Sequence, residues 1–124
     1  MKPNLPIMCL ACVPDIVRLG DLNITNVSCR KDGYRSARKS ELQKPINYLE
    51  RSSVIHEFES GCSIVAAWKG SAIYLCHEGP DKIAISFQEI GRLAHEGNHA
   101  CWSRNFEALI MTAQKITVRL ERPR

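Results

Sequence analysis

Residues 62–86, at the centre of the chain, read CSIVAAWKGSAIYLCHEGPDKIAIS. Two apolar runs, 62–68 and 71–76, are separated by only two residues, one of them glycine, which is typical of a β-hairpin. Gly79-Pro80-Asp81 marks a second turn, and residues 82–85 have the composition of a third short strand. The sequence therefore predicts an antiparallel β-meander over about 62–86.

A helix is predicted directly after this meander. Ser86-Phe87-Gln88-Glu89 matches a capping box, with serine at the N-cap and glutamate three residues later. Ile90, Leu93 and Ala94 continue at helical spacing, so we predict a capped helix over about 87–97 that packs on the sheet. Strands and helices in separate blocks predict an α+β fold, and a length of 124 residues fits a single domain, 1–124.

The flanking segments carry weaker signals. Five of them have the composition of short elements: a strand at 22–27, helices at 36–43, 45–51 and 106–111, and a strand at 116–120. Pro45 separates two of these helices because proline disfavours helical backbone in the residue before it. Residues 1–20 contain three prolines and predict an irregular leader.

The charge of the chain is mildly basic. There are 17 lysines and arginines against 13 aspartates and glutamates, a net charge of +4, which is below the dense positive field of most nucleic-acid binders. Basic residues concentrate at 30–44, where we predict that Arg35, Arg38 and Lys39 contact an acidic protein partner. Nucleic acid is the alternative partner. No stretch approaches the ~20 apolar residues of a bilayer span, so no membrane contact is expected.

Six cysteines are many for this length. The apolar stretch near the N terminus is short and is followed by Pro14-Asp15 rather than a small-residue cleavage site, so we expect a cytoplasmic protein with six reduced thiols. Cys9 and Cys12 have the spacing of half a zinc knuckle, and Cys29 follows them. These three cysteines are either zinc ligands or small buried apolar residues.

One motif carries catalytic chemistry: residues 95–99 match His-Glu-x-x-His. On a continuous helix His95 and His99 can both bind Zn²⁺, and Glu96 can act as general base on a metal-bound water whose pKa falls to about 7. The order of strand, helix and motif resembles the zinc-dependent metallopeptidases called zincins. That resemblance implies a hydrolase, and it covers only the segment from the predicted strand to His99.

Gly97 opposes this interpretation. A glycine near the end of a helical pattern favours a left-handed C-cap, and we expect the helix to end there, which would place the two histidines on different faces. A third ligand at the spacing of the zincins is absent. Glu107 follows His99 closely, and His77 would need an arrangement that the sequence does not predict.

Three functions therefore remain open. The first is a small non-enzymatic binding module that acts by protein–protein contact, through charge or an uncovered sheet edge, as inhibitors encoded by phages and mobile elements do. The second is a minimal zinc hydrolase built on His95, Glu96 and His99. The third is a zinc-stabilised nucleic-acid-binding domain built on Cys9, Cys12 and Cys29. The cofactor is accordingly none or Zn²⁺.

Overall fold

A computed structural model describes residues 16–31 and 33–124. Within these ranges the chain forms nine strands and two helices, which confirms the α+β class. The strands are β1 Ile16–Arg18, β2 Ile24–Lys31, β3 Ala37–Arg38, β4 Ile55–Phe58, β5 Gly61–Trp68, β6 Ser71–His77, β7 Lys82–Ser86, β8 Asn105–Thr112 and β9 Ile116–Glu121. The helices are α1 Lys39–Glu50 and α2 Phe87–Ala100. Residues 1–15 of the predicted leader lie outside the described residues.

The strands form two sheets. Five strands run in the order β2-β8-β9-β6-β5 with antiparallel pairing, and β3 adds to β8. The predicted β5–β6 hairpin is confirmed. The third strand of the expected meander, β7, instead lies between β1 and β4 in a second sheet. It cannot pair with β6 because β5 and β9 already occupy both edges of that strand.

Both helices pack on one face of the larger sheet. α2 contacts β8 and β9, while α1 contacts β5 and β6 and packs along α2. The core between them is aliphatic, with Leu42, Ile73, Leu93 and Ile110 completely buried. The helix layer is therefore held by apolar side chains that alternate along the strands and recur at helical spacing along α1 and α2.

Two glycines let α2 approach its neighbours closely. A Cβ at Gly91 would lie 3.0 Å from the backbone nitrogen of Glu50 on α1. A Cβ at Gly97 would lie 2.6 Å from Cγ1 of Ile110 and 3.3 Å from Cδ1 of Leu120. The helix continues through Gly97 to Ala100, so the expected C-cap at Gly97 is wrong. Close helix–sheet packing, rather than helix termination, requires glycine at this position.

We expect Gly97→Ala to lower the free energy of unfolding by about 1–2 kcal/mol. Alanine gains about 1 kcal/mol in helix propensity, but overpacking against Ile110 costs about 1–3 kcal/mol and more at such a short approach. Urea denaturation measures the difference. Adding Ile110→Val removes the nearest methyl group and should recover part of the loss. A Gly97→Ala variant more stable than the parent would contradict this packing.

Two further elements differ from the sequence prediction. Helix α1 is one helix with Pro45 inside it, whereas two short helices were predicted; Pro45 is buried and leaves the carbonyl of Glu41 without its helical donor. Residues 106–111 form strand β8 instead of a helix. Phe106, Ala108 and Ile110 are buried in alternation, so the period of two outweighs the helix propensity of the segment.

All four cysteines of the described residues form disulfides, which corrects the expectation of six free thiols. Cys29 on β2 is bonded to Cys101, directly after α2, across 72 residues of sequence. Cys62 and Cys76 face each other in the β5–β6 pair and are also bonded. The partners are distant in sequence or belong to separate apolar runs, so spacing alone does not reveal them.

Candidate functional site

The last two turns of α2 carry the His-Glu-x-x-His motif. His95 and His99 are exposed, lie one helical turn apart, and line a common cavity of about 350 Å³. Lys39, Gln43, Asn98, Cys101 and Trp102 complete its lining. The continuous helix thus brings the two predicted metal ligands to one site, which a C-cap at Gly97 would have prevented.

Glu96 does not share that cavity. Arg92 lies one turn earlier on α2, and its pKa is raised mainly by the hydrogen bond to Glu89. The charge of Glu96 makes a smaller contribution in the same direction. Within residues 16–31 and 33–124, no three His, Cys, Asp or Glu side chains are grouped to hold a metal. His77 is buried on β6 and Glu107 lies on β8, and neither lines the cavity. The general-base role of Glu96 therefore gains no support from the geometry.

Asn98 is the most buried polar side chain at this cavity. It is 7% exposed, and its Oδ1 atom has no hydrogen-bond donor within the described residues. An unpaired buried amide oxygen costs free energy unless a ligand or water pairs with it. The sequence does not reveal this residue, because asparagine at the x position of the motif carries no chemical signal by itself.

Lys39 neutralises the C-terminal end of α2. Its ammonium group donates to the carbonyl oxygens of Asn98 and Cys101, the latter at 2.8 Å, and lies 5.5 Å from the ring centre of Phe106. Burial lowers the pKa of this ammonium. A cation here complements the negative end of the helix dipole. Lys39, predicted as a partner contact, thus has an internal role.

The predicted cysteine ligands do not form a described site. Cys9 and Cys12 lie outside the described residues. Cys29 is bonded to Cys101, and a sulfur in a disulfide does not provide the thiolate that zinc requires. In the oxidised protein, the prediction that Cys29 is a zinc ligand is therefore wrong.

A second candidate site is the end of the larger sheet where β2 and β9 finish and β8 begins. The Arg122 amide donates to the carbonyl oxygen of Arg35, and the Arg35 side chain donates to the carbonyl oxygen of Arg122. The Lys39 amide donates to the carbonyl oxygen of Arg104. Arg30 is paired with Glu107 in the sheet register. We call this region the basic end; its cations are Arg30, Lys31, Arg35, Arg38, Arg104, Arg119, Arg122 and Arg124.

A buried carboxylate organises part of the basic end. Glu121 is 2% exposed and accepts two hydrogen bonds of 3.1 Å from Arg124, which raise the pKa of Arg124. The Nε atoms of Arg35 and Arg119 each lie 3.6 Å from a Glu121 oxygen. Both Nε atoms are buried, and neither has a hydrogen-bond acceptor in the part of the chain that the structure describes. Arg35, Arg119 and Arg124 therefore surround the Glu121 carboxylate.

Two open cavities adjoin the exposed cations. One of about 640 Å³ is lined by Arg38, Arg122, Glu41 and Ser36, whose buried hydroxyl has no hydrogen-bond partner among residues 16–31 and 33–124. The other, of about 540 Å³, lies between Arg38 and Arg104. Of the predicted partner residues, Arg38 is exposed here, whereas Arg35 and Lys39 are turned toward internal acceptors. Arg104 and the C-terminal arginines are not evident as site residues from the sequence, because only the fold brings them to residues 30–38.

The outer edge of β5 was a further candidate for partner contact. β5 is an edge strand and carries no charged residue, and Ile64 is 52% exposed. A register shift between Ile64 and Ala66 interrupts it, however, and such a bulge bends a strand and disrupts the ladder that a partner strand needs. The basic end is therefore the stronger candidate surface.

Comparison with known sequences adds no assignment to these sites. In the part of the chain that the structure describes, no helix has the length and apolar character needed to cross a membrane. No protein-family model matches the chain, and no curated protein matches it significantly.

Proposed function

We propose that this protein is a non-enzymatic binding module that contacts an acidic protein partner through the basic end. One observation carries the proposal: four separate segments of the chain bring eight cations to one end of the sheet. Among the described residues, only Glu41, Glu107 and the buried Glu121 accompany them. Complementary charge of this kind accelerates association and selects the partner more than it adds affinity.

Carboxylates suit this surface better than a phosphate backbone does. Arg124 already hydrogen-bonds the Glu121 carboxylate, and Arg35 and Arg119 lie within 3.6 Å of it; carboxylates are groups that guanidinium favours. Glu41 lines the larger cavity and Glu107 lies beside Arg30, so a continuous row of phosphates would meet like charge. Acidic side chains that are spaced apart on a protein surface can reach Arg38, Arg104 and Arg122 without lying next to Glu41 or Glu107.

We expect the triple variant Arg38→Glu, Arg104→Glu, Arg122→Glu to weaken binding of a fluorescein-labelled oligoglutamate peptide by about tenfold or more. These three side chains are exposed, so their reversal removes attraction without disturbing the core. Fluorescence anisotropy at several salt concentrations measures the effect. The matched control is Arg18→Glu, Lys82→Glu, Lys115→Glu, which has the same charge change at exposed sites elsewhere.

Two outcomes would contradict the proposal. An equal loss in both triple variants would mean that net charge alone binds the peptide. The second outcome is that duplex DNA binds more tightly than the peptide at the same salt concentration and that the Arg38, Arg104 and Arg122 variant loses this binding. The basic end would then be a nucleic-acid-binding surface.

The disulfides support an oxidising compartment for this module, in place of the cytoplasm expected from the sequence. Disulfides persist mainly outside reducing compartments. Peptide mapping after alkylation without reductant should recover Cys29 joined to Cys101 and Cys62 joined to Cys76. Alkylated forms of these four residues in protein isolated from its native host would support the cytoplasm instead.

A further inference from the structure

We infer that the C-terminal end of α2 binds a late first-row divalent cation, with Zn²⁺ as the representative ion, through His95, His99 and the side-chain oxygen of Asn98. This site is separate from the basic end and does not depend on the proposed function. Imidazole nitrogen is a preferred ligand of Zn²⁺, Cu²⁺ and Ni²⁺. One amide oxygen and solvent can complete the coordination.

The helix places the three ligands on one face. Residues i, i+3 and i+4 of a helix are neighbours, and His95, Asn98 and His99 have this spacing within the continuous α2. All three line the cavity of about 350 Å³. The two imidazoles are exposed, so they can turn toward a common ion.

Asn98 supplies the observation that points to a ligand. Its side chain is 93% buried, since 7% is exposed, and no described residue donates a hydrogen bond to its Oδ1 atom. A bound cation would pair with that oxygen and remove the cost of leaving it unsatisfied. Asn98 thus acts as the third ligand. No His, Cys, Asp or Glu side chain of the described residues completes a group of three there.

The local field also favours a cation. The last turn of α2 exposes carbonyl oxygens at the negative end of the helix dipole, and Lys39 is already attracted to two of them. The ammonium is bound to main-chain oxygens, which leaves the Asn98 side chain free for the ion. The positive charge of Lys39 still repels a divalent cation, so Lys39→Gln should tighten metal binding.

Calorimetric titration of the full-length chain with ZnCl₂ tests the site, with CuCl₂ quenching of tryptophan fluorescence as a second readout. Trp102 is 95% exposed and lines the cavity, so a bound Cu²⁺ should quench it. We expect one saturable equivalent of Zn²⁺, with affinity reduced about tenfold or more in His95→Ala and in His99→Ala. Asn98→Asp should bind more tightly, because a carboxylate replaces the amide oxygen.

The controls separate this site from other metal-binding residues. His56→Ala removes an exposed histidine on β4, and the Cys9→Ser, Cys12→Ser double variant removes the two N-terminal cysteines; both variants should still bind one equivalent of Zn²⁺. Loss of binding in either control, or full retention in His95→Ala and His99→Ala, would overturn the inference. Both histidines are exposed, so circular dichroism should show these variants folded, and oligoglutamate binding at the basic end should be unchanged.

Discussion

Replacing Cys29 and Cys101 together by alanine should lower the free energy of unfolding by about 4 kcal/mol under non-reducing conditions. The bond closes a loop spanning 72 residues of sequence, which restricts the unfolded chain strongly. It also ties the edge strand β2 to the end of α2, where Cys101 is 1% exposed. Urea denaturation of the oxidised parent and the double variant measures the difference.

The second disulfide provides the matched comparison. Cys62 and Cys76 are 14 residues apart, so removing this bond should cost about 3 kcal/mol by the same loop argument. The hairpin also keeps these residues close through its own hydrogen bonds and register. Reductant should destabilise the parent by about the sum of both losses and leave the quadruple alanine variant unchanged. A loss below about 1 kcal/mol for the Cys29 and Cys101 variant would contradict a stabilising bond at that position.

Local chemistry accounts for the elements that the sequence predicted well. The two-residue connection before Ser71 determines the β5–β6 hairpin, and the Ser86 hydroxyl accepts from the Glu89 amide at 3.1 Å and begins α2. Both signals act over a few residues, so no knowledge of the remaining chain is needed. The α+β class follows from the same elements.

The errors arise where distant residues decide the outcome. β7 joins another sheet because β9, more than thirty residues later in the chain, occupies the edge of β6. Position 97 needs glycine because Ile110 on β8 leaves no room for a side chain, and not because the helix ends there. The basic end and the Cys29–Cys101 bond likewise join segments that are far apart in sequence. The His-Glu-x-x-His motif is visible in the sequence, but the predicted end of its helix is wrong for the same reason.

Glu89 also departs from its local motif. In a capping box the glutamate reaches back to the N-cap amide, but here its Oε2 atom accepts from the Leu22 amide at 2.6 Å and from Arg92 at 2.5 Å. Arg92 in turn donates to the carbonyl of Leu22 at 2.6 Å. The pair therefore fastens the segment before β2 to the first turn of α2, and Glu89 is only 7% exposed.

Glu89→Ala should lower the free energy of unfolding by about 2–3 kcal/mol. Removing one partner of a buried ion pair costs about 3–5 kcal/mol, and the 44% exposure of Arg92 reduces that figure. The Leu22 amide also loses its acceptor. Glu57→Ala, at an exposed position on β4, is the matched control and should change stability by less than about 0.5 kcal/mol.

The contribution of Glu89 should also depend on pH. Burial disfavours the charged form, but hydrogen bonds from Arg92 and the Leu22 amide, with the charge of Arg92, outweigh it and hold the pKa of Glu89 below its ordinary value of 4.5. A carboxyl whose pKa is lower in the folded state stabilises the fold fully above its unfolded pKa and loses that contribution as pH falls through the folded pKa. Urea denaturation between neutral pH and pH about 3 should therefore show a steeper acid loss in the parent than in Glu89→Gln. Parallel pH profiles for the two proteins would mean that Glu89 is not ionised against Arg92 in the folded state.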